Sequence, residues 1–152
     1  MRNAYPGFLE ENETMVRPVI HDPLFLSRKS APATHADVQT TGRDLIETLQ
    51  SNRGVCAGMA ANMIGEAKCI IAFFDENAVP VLMCNPEITE RHGTFRTSER
   101  CLSLSGERET VRYRMIKVRY RDPGWSVRIR MFSGWTAQVI QHEIDHTNGI
   151  LI

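Results

Sequence analysis

The chain has no excess of charge, no long apolar run and no leader-like start. Its 18 Lys and Arg balance 18 Asp and Glu over 152 residues, so no global field draws it to nucleic acid or to an anionic membrane. No apolar stretch reaches the roughly 18 residues that a membrane-crossing helix needs. The opening Met1-Arg2-Asn3-Ala4-Tyr5-Pro6-Gly7 does not follow a basic segment with an apolar one, as a secretory signal does. A cytoplasmic protein, with neither a membrane nor a nucleic-acid partner, is expected. Repeats and low-complexity linkers are also missing. Residues 1–152 therefore read as one domain, with an irregular lead-in over 1–14 and enough chain for a core without disulfide staples. The four cysteines (Cys56, Cys69, Cys84 and Cys101) then read as free thiols or a metal ligand. Cys69 and Cys84 lie in apolar, strand-like segments, whereas Cys56 and Cys101 have more polar neighbours.

What is present divides into helical and extended patterns. Val38, Leu45, Ile46 and Leu49 share one face of a helix running from Asp37 to about Arg53. A run of small residues follows over 54–65, suited to close backbone approach by a neighbouring element or a ligand. Strands are expected near 68–74 and 79–84, the second ended by Asn85-Pro86. Two further strands, over 111–120 and 126–132, flank the turn Arg121-Asp122-Pro123-Gly124. Alternation places many of Arg112, Arg114, Arg119, Arg121, Arg128 and Arg130 on a solvated side rather than in a phosphate-binding face. The expected fold class is α+β, a single domain of antiparallel strands packed around a C-terminal metal-binding helix.

That helix carries His142-Glu143-Ile144-Asp145-His146. Four residues advance an α-helix by about 400°, so both imidazoles point the same way and can hold one ion. Glu143 lies next to them, placed to take a proton from a metal-activated water. Ser133 or Thr136 can cap the start, Ala137, Ile140 and Ile144 form an apolar stripe, and Gly149 sits where a C′ glycine ends a helix. Ile150, Leu151 and Ile152 read as a short strand. A catalytic site of this type takes three protein ligands. Ile152 stands where an extended H-E-x-x-H-x-x-G-x-x-H pattern would place its last histidine, so the third ligand is expected upstream. Cys56, Cys101, His21, His35, His92 and many carboxylates are candidates, with Cys101 standing out for its polar segment.

Three motifs carry a resemblance to a known family. Glu99-Arg100-Cys101-Leu102-Ser103 resembles the E-G-C-L-S motif of peptide deformylases, and Gln141-His142-Glu143-Ile144-Asp145-His146 is similar to their Q-H-E-x-D-H. Gly58-Met59-Ala60-Ala61-Asn62-Met63 resembles their G-φ-A-A-x-Q, in the same order and spacing, and the similarity runs from about Met15 onward. The resemblance implies that Cys101, His142 and His146 bind one divalent ion, ferrous iron in the family, with zinc, nickel or cobalt able to replace it. It also implies the substrate, the N-formyl group of formylmethionine on newly made polypeptides, released as formate. Glu143 would then be the proton acceptor and donor, and the backbone N–H of Leu102 an oxyanion donor. Gly58 and Arg100 fall in the motifs that would line the substrate site.

The chain departs from the family pattern at three positions. Cys56 replaces an opening glycine. Met63 replaces a glutamine whose amide donates to the oxyanion, and a thioether has no proton to donate. Arg100 replaces a glycine. These changes keep open a catalytically weak or inactive paralogue, or a related metallo-amidase or peptidase with another substrate. Ribosome contact through a C-terminal helix, which some relatives carry, does not transfer to this chain.

Overall fold

The computed structural model describes residues 15–152, and the lead-in expected over 1–14 lies outside them. Five antiparallel strands form one meandering sheet in chain order: β1 (Gly58–Ala60), β2 (Ile70–Phe74), β3 (Pro80–Cys101), β4 (Leu104–Arg121) and β5 (Val127–Ser133). The helices are α1 (Pro23–Leu26), α2 (His35–Asp37), α3 (Arg43–Ser51) and α4 (Gly134–Thr147). A π-helical segment, Val38–Gly42, joins α2 to α3, so the helix expected from Asp37 begins slightly earlier and contains a widened turn.

Helices cover both faces of the first three strands. Ile70 and Ala72 of β2 join Leu45, Ile46 and Leu49 of α3 in one core. Ile71 and Phe73 face the other way, into a core with Ala137, Ile140 and Ile144 of α4. Burial on both faces explains why β2 reads as an unbroken apolar run, a pattern that a strand with one wet face does not show.

Asn85-Pro86 does not end a strand. Asn85 adopts φ of 52° and the register with β4 shifts between Cys84 and Glu87. The result is a bulge, after which β3 continues to Cys101. Asn85 suits this bend because its amide pairs with both backbone groups of Ala33, at 2.8 and 3.0 Å. Beyond the bulge, β3 and β4 form a long hairpin that the sequence pattern missed, since residues 89–94 are exposed on both faces.

Other expectations also need correction. Cys84 is a buried strand residue, but Cys69 is half-buried just before β2, its thiol donating to the Ser30 carbonyl at 3.4 Å. Ile150–Ile152 is not a strand. Those residues follow a helix end closed by two bonds, Gly149 N–H to the His146 carbonyl and Ile150 N–H to that of Asp145, both 3.0 Å. Gly149 has φ of 75°, and a Cβ there would collide with the Ser27 carbonyl. No side-chain cap bond is formed by Ser133 at the other end.

Candidate metal centre

Helix α4 lies across the sheet with nearly its whole circumference buried, polar residues included. Gln141 fixes it sideways: its side-chain amide accepts from the Tyr113 N–H at 2.8 Å and donates to the Tyr113 carbonyl at 2.9 Å. The helix approaches β1 closely because residue 58 has no side chain. A Cβ on Gly58 would lie 2.8 Å from Val139 Cγ1 and 3.0 Å from Glu143 Oε2. The small-residue run therefore serves packing and the site together.

At the end of β3 a tight turn brings Cys101 to the helix. The Ser103 N–H donates to its sulfur at 3.4 Å, and the sulfur lies 3.3 Å from His146 Nε2. That nitrogen is 3.0 Å from His142 Nε2. Donor atoms of Cys101, His142 and His146 all fall within 4.8 Å of one another. Three lone-pair donors facing each other so closely repel unless a proton or a cation lies between them. A thiolate with two imidazoles is a donor set for a divalent transition ion, and these residues fit one.

The surroundings hold the donors in place. Glu99 Oε1 is 2.8 Å from His142 Nδ1, which leaves Nε2 of that ring as the inward donor. Arg112 grips both Glu99 oxygens, reaching Oε1 at 2.7 Å and Oε2 at 3.0 Å, and pairs with Asp145 at 2.6 Å. Gln138 donates to Glu99 Oε2 at 2.9 Å. Burial opposes the charge on Glu99, yet the hydrogen bonds from His142, Arg112 and Gln138 prevail and hold its pKa down to about 2. Burial likewise opposes charge on His142, but the Cys101 sulfur and Glu99 lift its pKa to about 10. His146 moves the other way, to about 3, through burial and the neighbouring charges of His142 and Arg112. Burial raises Glu143 to about 7, and the adjacent His142 opposes that shift.

A cavity of about 400 Å³ opens beside the three donors. Gly58, Met63, Arg100, Cys101, Leu102, His142 and Glu143 line it, and His146 adjoins Cys101 and His142. The other candidate histidines do not line it: His21 lies on the Ser103 carbonyl, His35 stacks on Trp125 and His92 sits beside Glu90. Glu143 Oε1 is buried there without a hydrogen-bond partner. The Leu102 N–H, in the turn after Cys101, bonds to no backbone carbonyl among the described residues. Met63 does not present a donor: its sulfur accepts from the Ala60 N–H at 3.5 Å. Asn62 does not substitute for it, since its amide donates instead to the His146 carbonyl at 2.9 Å. Arg100 is exposed at the rim and pairs with Glu107 at 3.0 Å. Cys56 also lines the cavity, where burial and the nearby charges of Glu143 and Cys101 push its thiol up to about 12. All four cysteines are free.

Arg112 was the residue that pattern reading missed. It is buried, unlike Arg114 and Arg119 of the same strand, which are exposed. Arg112→Met strands two carboxylates beside a metal ligand. Unfolding in denaturant should show a loss of about 3–5 kcal/mol, together with weaker metal retention after dialysis. Unaltered stability and metal content would remove Arg112 from the supporting framework.

Comparison with known proteins gives the same picture. The family model described as polypeptide deformylase matches residues 16–152. A peptide deformylase of Clostridium beijerinckii is 46% identical over 138 residues, covering 91% of this chain and 100% of that one. One from Dictyoglomus turgidum is 34% identical, covering 88% and 86%. Among solved structures, peptide deformylase from Thermus thermophilus superposes with a TM-score of 0.80 at 33% identity, covering 90% of this chain and 83% of that one. The Met-Ala-Ser-bound class I type b enzyme from Acinetobacter baumannii also gives 0.80, at 28% identity, covering 91% and 97%. With the family model matched over residues 16–152 and a relative 46% identical along its whole length, the chain belongs to the peptide deformylase family.

Proposed function

We propose that the protein hydrolyses the N-formyl amide of formylmethionine at the start of newly made polypeptides, releasing formate. The observation that carries this reading is Glu143, a buried carboxylate with an unpartnered oxygen, lining the same cavity as Cys101 and His142. A structural metal site has no use for such a group.

Position supports the residue roles that the resemblance implies. Cys101, His142 and His146 hold the ion, which is ferrous iron by family resemblance, while zinc, nickel and cobalt suit the same donors. When bound, the ion supplies Lewis acidity, lowering the pKa of water and polarising a carbonyl. Glu143 takes the proton of the attacking water and passes it to the departing amine. The Leu102 N–H, free of backbone partners, is the donor for the developing oxyanion. Gly58 and Arg100 border the slot for the peptide. β1 ends the sheet, and β2 pairs with β3 only over Pro80–Cys84, so neither β1 nor the far end of β3 has a further strand on its outer side among the described residues. An extended chain end can lie against such edges through backbone hydrogen bonds. Formylated nascent chains are the natural partners, and a cytoplasmic location follows from where such chains are made. No described helix is long and apolar enough to cross a membrane.

The test is an assay of formate release from formyl-Met and acetyl-Met peptides, on protein purified without oxygen and analysed for metal. Formate should appear from the formyl peptide, stop on chelation and return with ferrous iron. Cleavage of the acetyl peptide at an equal rate would favour a general amidase, and metal-bearing protein that releases no formate would overturn the reading.

A further inference from the structure

The neutral total of the chain, which argued against a nucleic-acid partner, hides a division. Residues 80–133, which span β3 to β5, hold 11 Lys and Arg against 6 Asp and Glu, so this part carries +5 and the remainder −5. The sheet sorts these charges further. Arg91 pairs in register with Ile116, and Arg130 with Val118. Ile116 and Val118 share a core with α4, so both arginines project to the α4 side, as does Arg114, two residues from Ile116. Glu87 and Glu90 pair with Arg119 and Lys117 and face the other way, with Glu107 and Glu109. On the α4 side these strands carry one acid, Glu99, already held by Arg112. Arg91, Arg114 and Arg130 are exposed and form no ion pair among the described residues. Arg114 lies over the Phe95 ring at 5.0 Å and Arg130 over the Phe132 ring at 4.9 Å. A guanidinium supported by a ring loses less freedom on binding, and its N–H fork stays open to phosphate.

We propose that the α4 side of the β3–β5 sheet binds single-stranded RNA, with Arg91, Arg114 and Arg130 contacting its phosphates and bases. This contact lies outside the reaction assigned above and does not depend on it. A surface of one sign matches a phosphate backbone, and guanidinium planes suit bases that are free to stack. A duplex keeps its bases stacked on one another and offers these planes little. An anionic membrane is a poorer match, because the exposed apolar residues of β5, Val127, Ile129 and Met131, alternate onto the opposite face.

The test is fluorescence anisotropy of a labelled single-stranded RNA of about 12 nucleotides, titrated with zinc-loaded protein across a range of salt concentrations. Binding should weaken as salt rises. Replacing Arg91, Arg114 and Arg130 together by Gln should flatten the slope of log affinity against log salt by about 2, at roughly 0.7 per lost phosphate contact. Arg114→Lys keeps the charge and loses the planar fork, so it should preserve the slope while binding less tightly. Arg119→Gln, on the opposite face, should leave affinity nearly unchanged, and circular dichroism should show every variant folded. Absence of RNA binding at about 50 mM salt overturns the proposal. So does an Arg119→Gln loss equal to that of a single Arg→Gln change on the α4 side, which would mark a diffuse charge effect. Equal affinity for a DNA duplex of the same length, or for phosphatidylserine vesicles, overturns it as well.

Discussion

Glu143→Ala is expected to lower formate release by about two to four orders of magnitude, the usual loss when a positioned acid–base group is removed. Three features make the result interpretable. Glu143 is not one of the three clustered donors, so metal content should stay at the level of the unmodified protein. It forms no ion pair among the described residues, so no partner charge is stranded. Its unpartnered Oε1 is buried, and a buried polar atom without a partner costs about 1–3 kcal/mol. Thermal stability should therefore hold or rise. Metal content by elemental analysis, melting temperature and formate production together separate a catalytic loss from a structural one. Formate production at the original rate would end the assigned role.

Met63→Gln should do the opposite and raise turnover. A single oxyanion donor is worth about two to three orders of magnitude in well-studied hydrolases, and the present residue offers none. The structure accommodates the change. The Met63 sulfur accepts from the Ala60 N–H, and a glutamine carbonyl oxygen can accept that bond while its NH₂ turns toward the cavity. The two side chains are similar in length, so the surrounding core with Ile64 and Leu26 needs little adjustment. Met63→Leu, which is apolar and lacks a donor, is the control and should give no gain. The comparison is kcat on a formyl-Met peptide. A folded Met63→Gln protein no faster than the original would mean that the Leu102 N–H and the ion already supply the needed stabilisation.

The metal centre was more legible in the sequence than its supports. Two histidines at helical spacing and a glutamate between them announce themselves, because the period of the helix fixes where they point. Cys101 gained its place through the resemblance of its motif, and the structure brings its sulfur to the imidazoles. Arg112 was hidden because Arg112, Arg114 and Arg119 look alike along the strand; only the fold brings Glu99 and Asp145 to the first of them. The outer part of the β3–β4 hairpin was hidden for another reason. A strand reveals itself by burying every second residue, and there both faces meet water. Asn85-Pro86 carries a stop signal, yet the Asn85 side chain bonds Ala33 far away in sequence and turns the stop into a bulge.

The bond partners at the centre are remote from one another along the chain: 45 residues separate Cys101 from His146 and 43 separate Glu99 from His142. Such pairings close large loops and form slowly. The donors can enclose an ion only where the hairpin lies docked on the final helix, so a cation held there would act as a clasp that slows the reverse separation.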